Sequence, residues 1–399
     1  MDICRKGWRK ILLYLLTMIV LAVCFPAQVH ADGGAPNLAY VSGTSHDISV
    51  IDVGLGKVIA TIQLAGDPHT ILLNLDGSAL YVAQPEANQV SVIATYTKRI
   101  TCTAHLAGKP GLLAFDLYTN TLYAAGSGAA SVSEIDPKTC AIRHVFKTDS
   151  PVYGLAIVMA GNGIALGNTH QLWVSEADKI TVFDTQTGRA LAHIPIPGGP
   201  QYLTTPPGAT VYATTRQGSI YAIDFTTRTT RQILTGGPFG PMDYDAITGE
   251  VYVPDQKNNQ LAVLSPVDPI DAKQPRQPNR VIHTQATPES VAITNDGQLG
   301  FVALRNGTVA MLDAPARQLV NVIAVGGDPH FIITGLYPPI ITRPTPPAQQ
   351  EPVQSRSWWN QLPAWASTGI LIAYTIVLCS LIVIFVVMFR RVMNSRQQK

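Results

Sequence analysis

Residues 81–117 read YVAQPEANQVSVIATYTKRITCTAHLAGKPGLLAFDL. Four strand-length apolar segments stand in this stretch, at 81–84, 89–94, 99–106 and 112–117, each bounded by turn-forming residues. Alternation with period two is clearest in Gln89-Val90-Ser91-Val92, as a half-buried strand requires. The same phrase returns along the chain. An aromatic opens a short strand at Tyr40, Tyr81, Tyr123, Trp173, Tyr212, Tyr252 and Phe301. About twelve residues on, a second strand ends in Asp52, Asp136, Asp184, Asp224 and Asp313, with Ala94 and Ser265 in the two exceptions. A proline (Pro68, Pro110, Pro151, Pro200, Pro238, Pro288, Pro329) precedes a third apolar strand each time. A unit of about 42 residues with four short strands is a propeller blade, which cannot bury both faces of its sheet alone and must stack on its neighbours. Seven copies predict an all-β, seven-bladed propeller over 37–337. The phase of the repeat puts the strand after Pro329 into the blade begun at Tyr40, closing the ring and removing two sheet edges.

These segments resemble the YVTN-type β-propeller repeat family. The similarity is carried best by Ser49-Val50-Ile51-Asp52, Lys57-Val58-Ile59-Ala60-Thr61-Ile62 and Gly66-Asp67-Pro68-His69, and is weakest in the second half of the third repeat and in the sixth. It implies seven blades in a chain exported or held at the cell surface. It implies little about chemistry, since members include surface proteins, binding modules and domains of redox enzymes.

The ends carry the address. Residues 1–31 have a basic start (Arg5, Lys6, Arg9, Lys10), an apolar run over 11–25 and a small residue, Ala31, before the expected cut, as a secretory signal does. Six prolines between 338 and 352 make the linker 338–365 stiff and extended. Residues 369–389 carry no Asp, Glu, Lys, Arg or His. At about 1.5 Å each they span about 31 Å, enough for a bilayer core. Trp358, Trp359 and Trp365 precede this run, and Arg390 and Arg391 follow it. The expectation is a single transmembrane helix over 366–389 and a basic cytoplasmic tail over 390–399, with the propeller on the periplasmic or extracellular side. The net charge of +2 comes from these ends; without them 20 basic side chains face 25 acidic ones, which excludes an electrostatic nucleic-acid binder. Cys102 and Cys140 are the two cysteines left outside, on neighbouring units, and either pair in an oxidising compartment or stay as two thiols.

Residues directly after the repeated prolines are expected to ring one mouth of the channel: His69, Gly111, Val152, Gln201, Phe239, Glu289 and His330. Closure puts Glu289, His330 and His69 on consecutive blades, with Asp67 and Asp328 in matching Gly-Asp-Pro-His tetrads. Two imidazoles and a carboxylate are a donor set for zinc or another divalent metal with an open water position. The same turn belongs to the repeat itself, so its histidines also serve a purely structural end, and no cofactor is assigned. No Gly-x-Ser-x-Gly elbow, phosphate-binding glycine loop or His-Glu-x-x-His helix is present. The expectation is a non-catalytic recognition scaffold for protein partners, in the setting of a membrane complex, with Asp67, Gln201, Phe239 and Asp328 at the docking mouth. The competing expectation is a lactonase-like metal-binding hydrolase, or a redox-accessory propeller, with its site at that mouth. Insertions at 161–171 and 266–280 are the other candidate docking loops.

Overall fold

In Tyr40-Val41 the aromatic packs toward the following blade and the valine toward the preceding one, because successive strand residues face opposite sides of a sheet. Tyr81/Val82, Tyr123/Ala124, Trp173/Val174, Tyr212/Ala213, Tyr252/Val253 and Phe301/Val302 repeat this split. Seven apolar layers result, one between each pair of adjacent blades. The structure, a computed structural model, describes residues 38–45, 47–160, 169–270 and 280–335. Over these residues the strands form seven four-stranded antiparallel sheets. The chain divides into Met1–Ile341 and Thr342–Lys399. The expected signal, linker, span and tail lie outside the described residues, as does most of each insertion. Among the described residues no helix is long and apolar enough to cross a membrane.

Closure follows the expected phase. Phe331–Thr334 pairs antiparallel with Leu38–Thr44, setting Ile333 opposite Tyr40 and Phe331 opposite Ser42. The strand-ending aspartates turn the chain, as their position suggests: Asp52 Oδ1 accepts the Leu55 N–H (2.8 Å) and Asp184 Oδ1 the Thr187 N–H (2.7 Å). Four residues past that position the backbone is left-handed in six blades, at Gly56, Lys98, Cys140, Gly188, Arg228 and Arg317. Cys140 thus lies in a hairpin turn. It is bonded to Cys102 on Arg99–His105 of the preceding blade, with Cα atoms 5.8 Å apart.

Candidate functional site

The turns leading into the innermost strands converge on one mouth of the central channel. The main-chain N–H of His69 donates to Ala83 O (2.9 Å) and that of His330 to Ser42 O (3.0 Å), so the two Gly-Asp-Pro-His turns seat their imidazoles equivalently on adjacent blades. The rings stack, with centroids 5.6 Å apart and planes 22° from parallel. Nδ1 of His69 lies 3.1 Å from the Gly111 carbonyl. A carbonyl only accepts, so Nδ1 carries the proton and Nε2 the lone pair. Burial, and then the neighbouring His330, lower the His69 pKa, opposed by Asp67 and the Gly111 contact. His69 is therefore a neutral base at neutral pH. The buried Ser42 hydroxyl donates to the His69 carbonyl. Gly43 is left-handed (φ +77°), and a Cβ there would come within 2.7 Å of the His330 ring.

Glu289 stands where the register shifts between Pro288 and Ser290, a bulge that re-aims its side chain. It forms an ion pair with Arg305 and accepts from Gln256 Nε2 at 3.1 Å. Burial raises its pKa; Arg305 opposes this most, and His330 also favours its charged form. Asp67 is exposed, 3.7 Å from His330 Nε2, and Asp328 is exposed on the same rim.

The histidines and Glu289 thus share one mouth, but not as a chelate. The imidazoles lie in nearly parallel planes and Glu289 is engaged by Arg305 and Gln256. Among the described residues no three His, Cys, Asp or Glu side chains converge on a metal position. The donors as placed do not fit a three-ligand centre, and no chemistry is routed through a metal below. Two members of the expected ring turn away from the mouth. Val152 is buried in the layer between the third and fourth blades, and Phe239 in that between the fifth and sixth. The N–H that reaches the second strand of those blades belongs to Tyr153 and Gly240 instead. The Arg216 guanidinium covers the Tyr153 ring at 4.3 Å. Gln201 is half-buried where the inner strand of its blade shifts register, next to Tyr202.

From this mouth a cavity of about 570 Å³ runs inward, lined by His69, Glu289, His330, Tyr202, Asp243 and mainly apolar residues of the innermost strands. That volume suits a small molecule. Asp243 was not anticipated. It lies opposite Tyr252, where the other blades place Leu72, Ala114, Ala156, Thr204, Ala292 and Ile333 opposite their own aromatics. One acid in an otherwise uncharged register is the signal that aligning the repeats on the aromatics would have given. Its Oδ2 accepts the Ile293 N–H at 2.7 Å, and burial pushes its pKa up to about 7. His170 is on the second strand of its blade, buried and paired through Nδ1 with the buried Asp116 of the preceding blade.

No protein-family model and no curated protein matches the chain. Solved structures do. The periplasmic gluconolactonase PpgL of Pseudomonas aeruginosa superimposes with a TM-score of 0.60 at 18% identity, over 75% of this chain and 98% of that one. Apo AztD from Citrobacter koseri gives 0.55 at 14%, over 75% and 97%. The dihydro-haem d1 dehydrogenase NirN in complex with DHE gives 0.54 at 15%, over 78% of each. At such identities the likeness is one of fold. The expected non-catalytic scaffold is corrected here: the proteins that share this fold include a lactonase and a haem dehydrogenase, the classes named in the competing expectation. The chain is a seven-bladed β-propeller similar in fold to these proteins.

Proposed function

We propose that the protein is a hydrolase of small, oxygen-rich ring esters, working at the histidine mouth of the propeller channel. The observation that carries this reading is His69: a half-buried, neutral imidazole, fixed by Gly111 with its Nε2 lone pair free, at the entrance to a small-molecule-sized cavity. His69 takes a proton from water as the water oxygen attacks the ester carbonyl. The ring C–O bond then breaks and the leaving alkoxide takes the proton back from the imidazolium, so the proton count closes. Ser42 and Gly43 position the two rings, and Glu289 with Arg305 and Gln256 supplies polar contacts for ring hydroxyls. The fold-level likeness to a gluconolactonase supports the substrate class. The Cys102–Cys140 bond and the ends of the sequence support an exported chain anchored by 366–389.

The test uses the full-length chain in mild detergent with glucono-δ-lactone, following proton release at constant pH. His69→Ala is expected to lower kcat/KM by about a hundredfold or more, the usual weight of a general base. The acid-side fall in rate is expected below the ordinary histidine range, because the folded protein lowers the His69 pKa. No turnover above the spontaneous rate, or equal turnover by His69→Ala, overturns the reading.

A further inference from the structure

Deeper than the mouth, Leu72, Ala114, Ala156, Thr204 and Ile333 share one level of the channel lining with Asp243. Asp243 is half-buried and lines this channel. We propose that this level is a second ligand subsite, taking a neutral hydroxyl or carbonyl oxygen, with the Asp243 carboxyl as its hydrogen-bond donor.

The geometry sets the donor's direction. Oδ2 accepts from the Ile293 main chain and the Tyr244 main chain also donates to the carboxyl, which leaves Oδ1 as the oxygen that carries the proton. Among the described residues no lysine or arginine lines the channel, and the other ionisable side chains that do are His69, Glu289 and His330 at the mouth, with Tyr202 and Tyr244. On its own strand Asp243 is followed by Tyr244, whose hydroxyl pKa is itself raised by burial and by the Asp243 charge. From the seventh blade it meets the Ile293 N–H. Among the described residues no cation answers Asp243, and burial, opposed by the Ile293 and Tyr244 N–H groups, holds it uncharged up to about pH 7. A neutral acid in an apolar ring donates a strong hydrogen bond to an uncharged oxygen. Once ionised it repels anions. This deepens the hydrolytic reading: an uncharged ring ester is accepted at this level, while the carboxylate its hydrolysis produces is rejected.

The probe is glucono-δ-lactam, a ring that binds without being hydrolysed under these conditions, titrated calorimetrically into the full-length chain on both sides of neutrality. Wild-type affinity is expected to fall about tenfold per pH unit once Asp243 ionises. Asp243→Asn keeps a donor and holds its affinity on the alkaline side. Asp243→Leu, which copies Leu72 of the second blade, binds at least about tenfold more weakly throughout, the worth of one buried hydrogen bond. A carboxylic C=O infrared band in the wild type, lost above neutrality, reads the same proton without depending on any variant's folding. Flat wild-type affinity across neutrality, absence of that band, or wild-type-like binding by Asp243→Leu overturns the subsite. Turnover that depends on His69 beside lactam binding that ignores Asp243 sinks the subsite and leaves the hydrolase standing.

Discussion

Asp116 and Asp243 are two carboxyls withdrawn from bulk water, and the chain answers them differently. Asp116 has His170 on one oxygen, while its other oxygen accepts the N–H groups of Tyr118 (3.0 Å) and Thr119 (3.3 Å). The Tyr118 ring stands edge-on to the imidazole, 5.7 Å away. All lone pairs that matter are met, and the pair ties the third blade to the fourth. Asp243 is met only by the main-chain N–H groups of Ile293 and Tyr244, with no counter-charge among the described residues, so it is left with chemistry to do. The first arrangement predicts a structural loss. His170→Ala leaves the Asp116 charge buried without its partner and is expected to cost about 3–5 kcal/mol of stability, with the rate at the mouth preserved in whatever protein remains folded. Denaturant unfolding of His170→Ala, Asp116→Asn and the double variant checks this. The double variant should cost less than the two singles together, and strict additivity would mean that the pair is not coupled.

At the scale of the strand and turn, the sequence spoke clearly wherever a feature repeats with constant spacing. The aromatic that opens the second strand and the apolar residue after it sit where counting places them because they answer a demand that all seven blades share, and the turn aspartate does so in the five blades that keep it. The mouth was less legible for a physical reason. Counting from the prolines assumes a constant path into the inner strand, yet Val152 and Phe239 fall one place short of the bonded residues Tyr153 and Gly240. A one-residue slip turns a side chain to the other face, here from the mouth into the core. Glu289 did reach the mouth, carried there by a bulge that no count from Pro288 reveals. Asp243 was hidden by the same irregularity: Pro238 and Pro241 leave its blade an inner strand of only Asp243–Tyr244. The hairpin turns make a separate prediction. Lys98 holds a left-handed backbone (φ 56°) where Gly56 and Gly188 stand in other blades. Lys98→Gly relieves that strain but frees the unfolded chain, and the net expected gain is about 0.5–1 kcal/mol. A thermal midpoint that falls instead would show the lysine's side chain outweighing its backbone.

For the propeller as a whole, no blade is self-sufficient, since each apolar layer is shared by two sheets and the ring is stable only when it meets itself. The clasp is narrow: the pairing of Phe331–Thr334 with Leu38–Thr44, and the N–H groups of Asp328 and His330 bonding to Gly43 O and Ser42 O. The same clasp builds the mouth, because His330 sits on its incoming end and Ser42 and Gly43 on its receiving strand. Ring closure and the proposed chemistry are therefore one structural event. Ile332 tests it, being 1% exposed in the layer shared by the seventh and first blades. Ile332→Ala is expected to cost about 2–5 kcal/mol, as a truncated core side chain does. The cost should appear on both sides of the seam: amide exchange should quicken in Leu299–Leu304 of the seventh blade as well as in Leu38–Thr44. Ile194, 3% exposed between the fourth and fifth blades, is the control. Ile194→Ala should loosen its own layer and leave lactone turnover intact, whereas Ile332→Ala should lower turnover together with seam protection. Were Ile332→Ala to loosen only the last strand, with the mouth still active, closure would be a local contact and the site would stand without it.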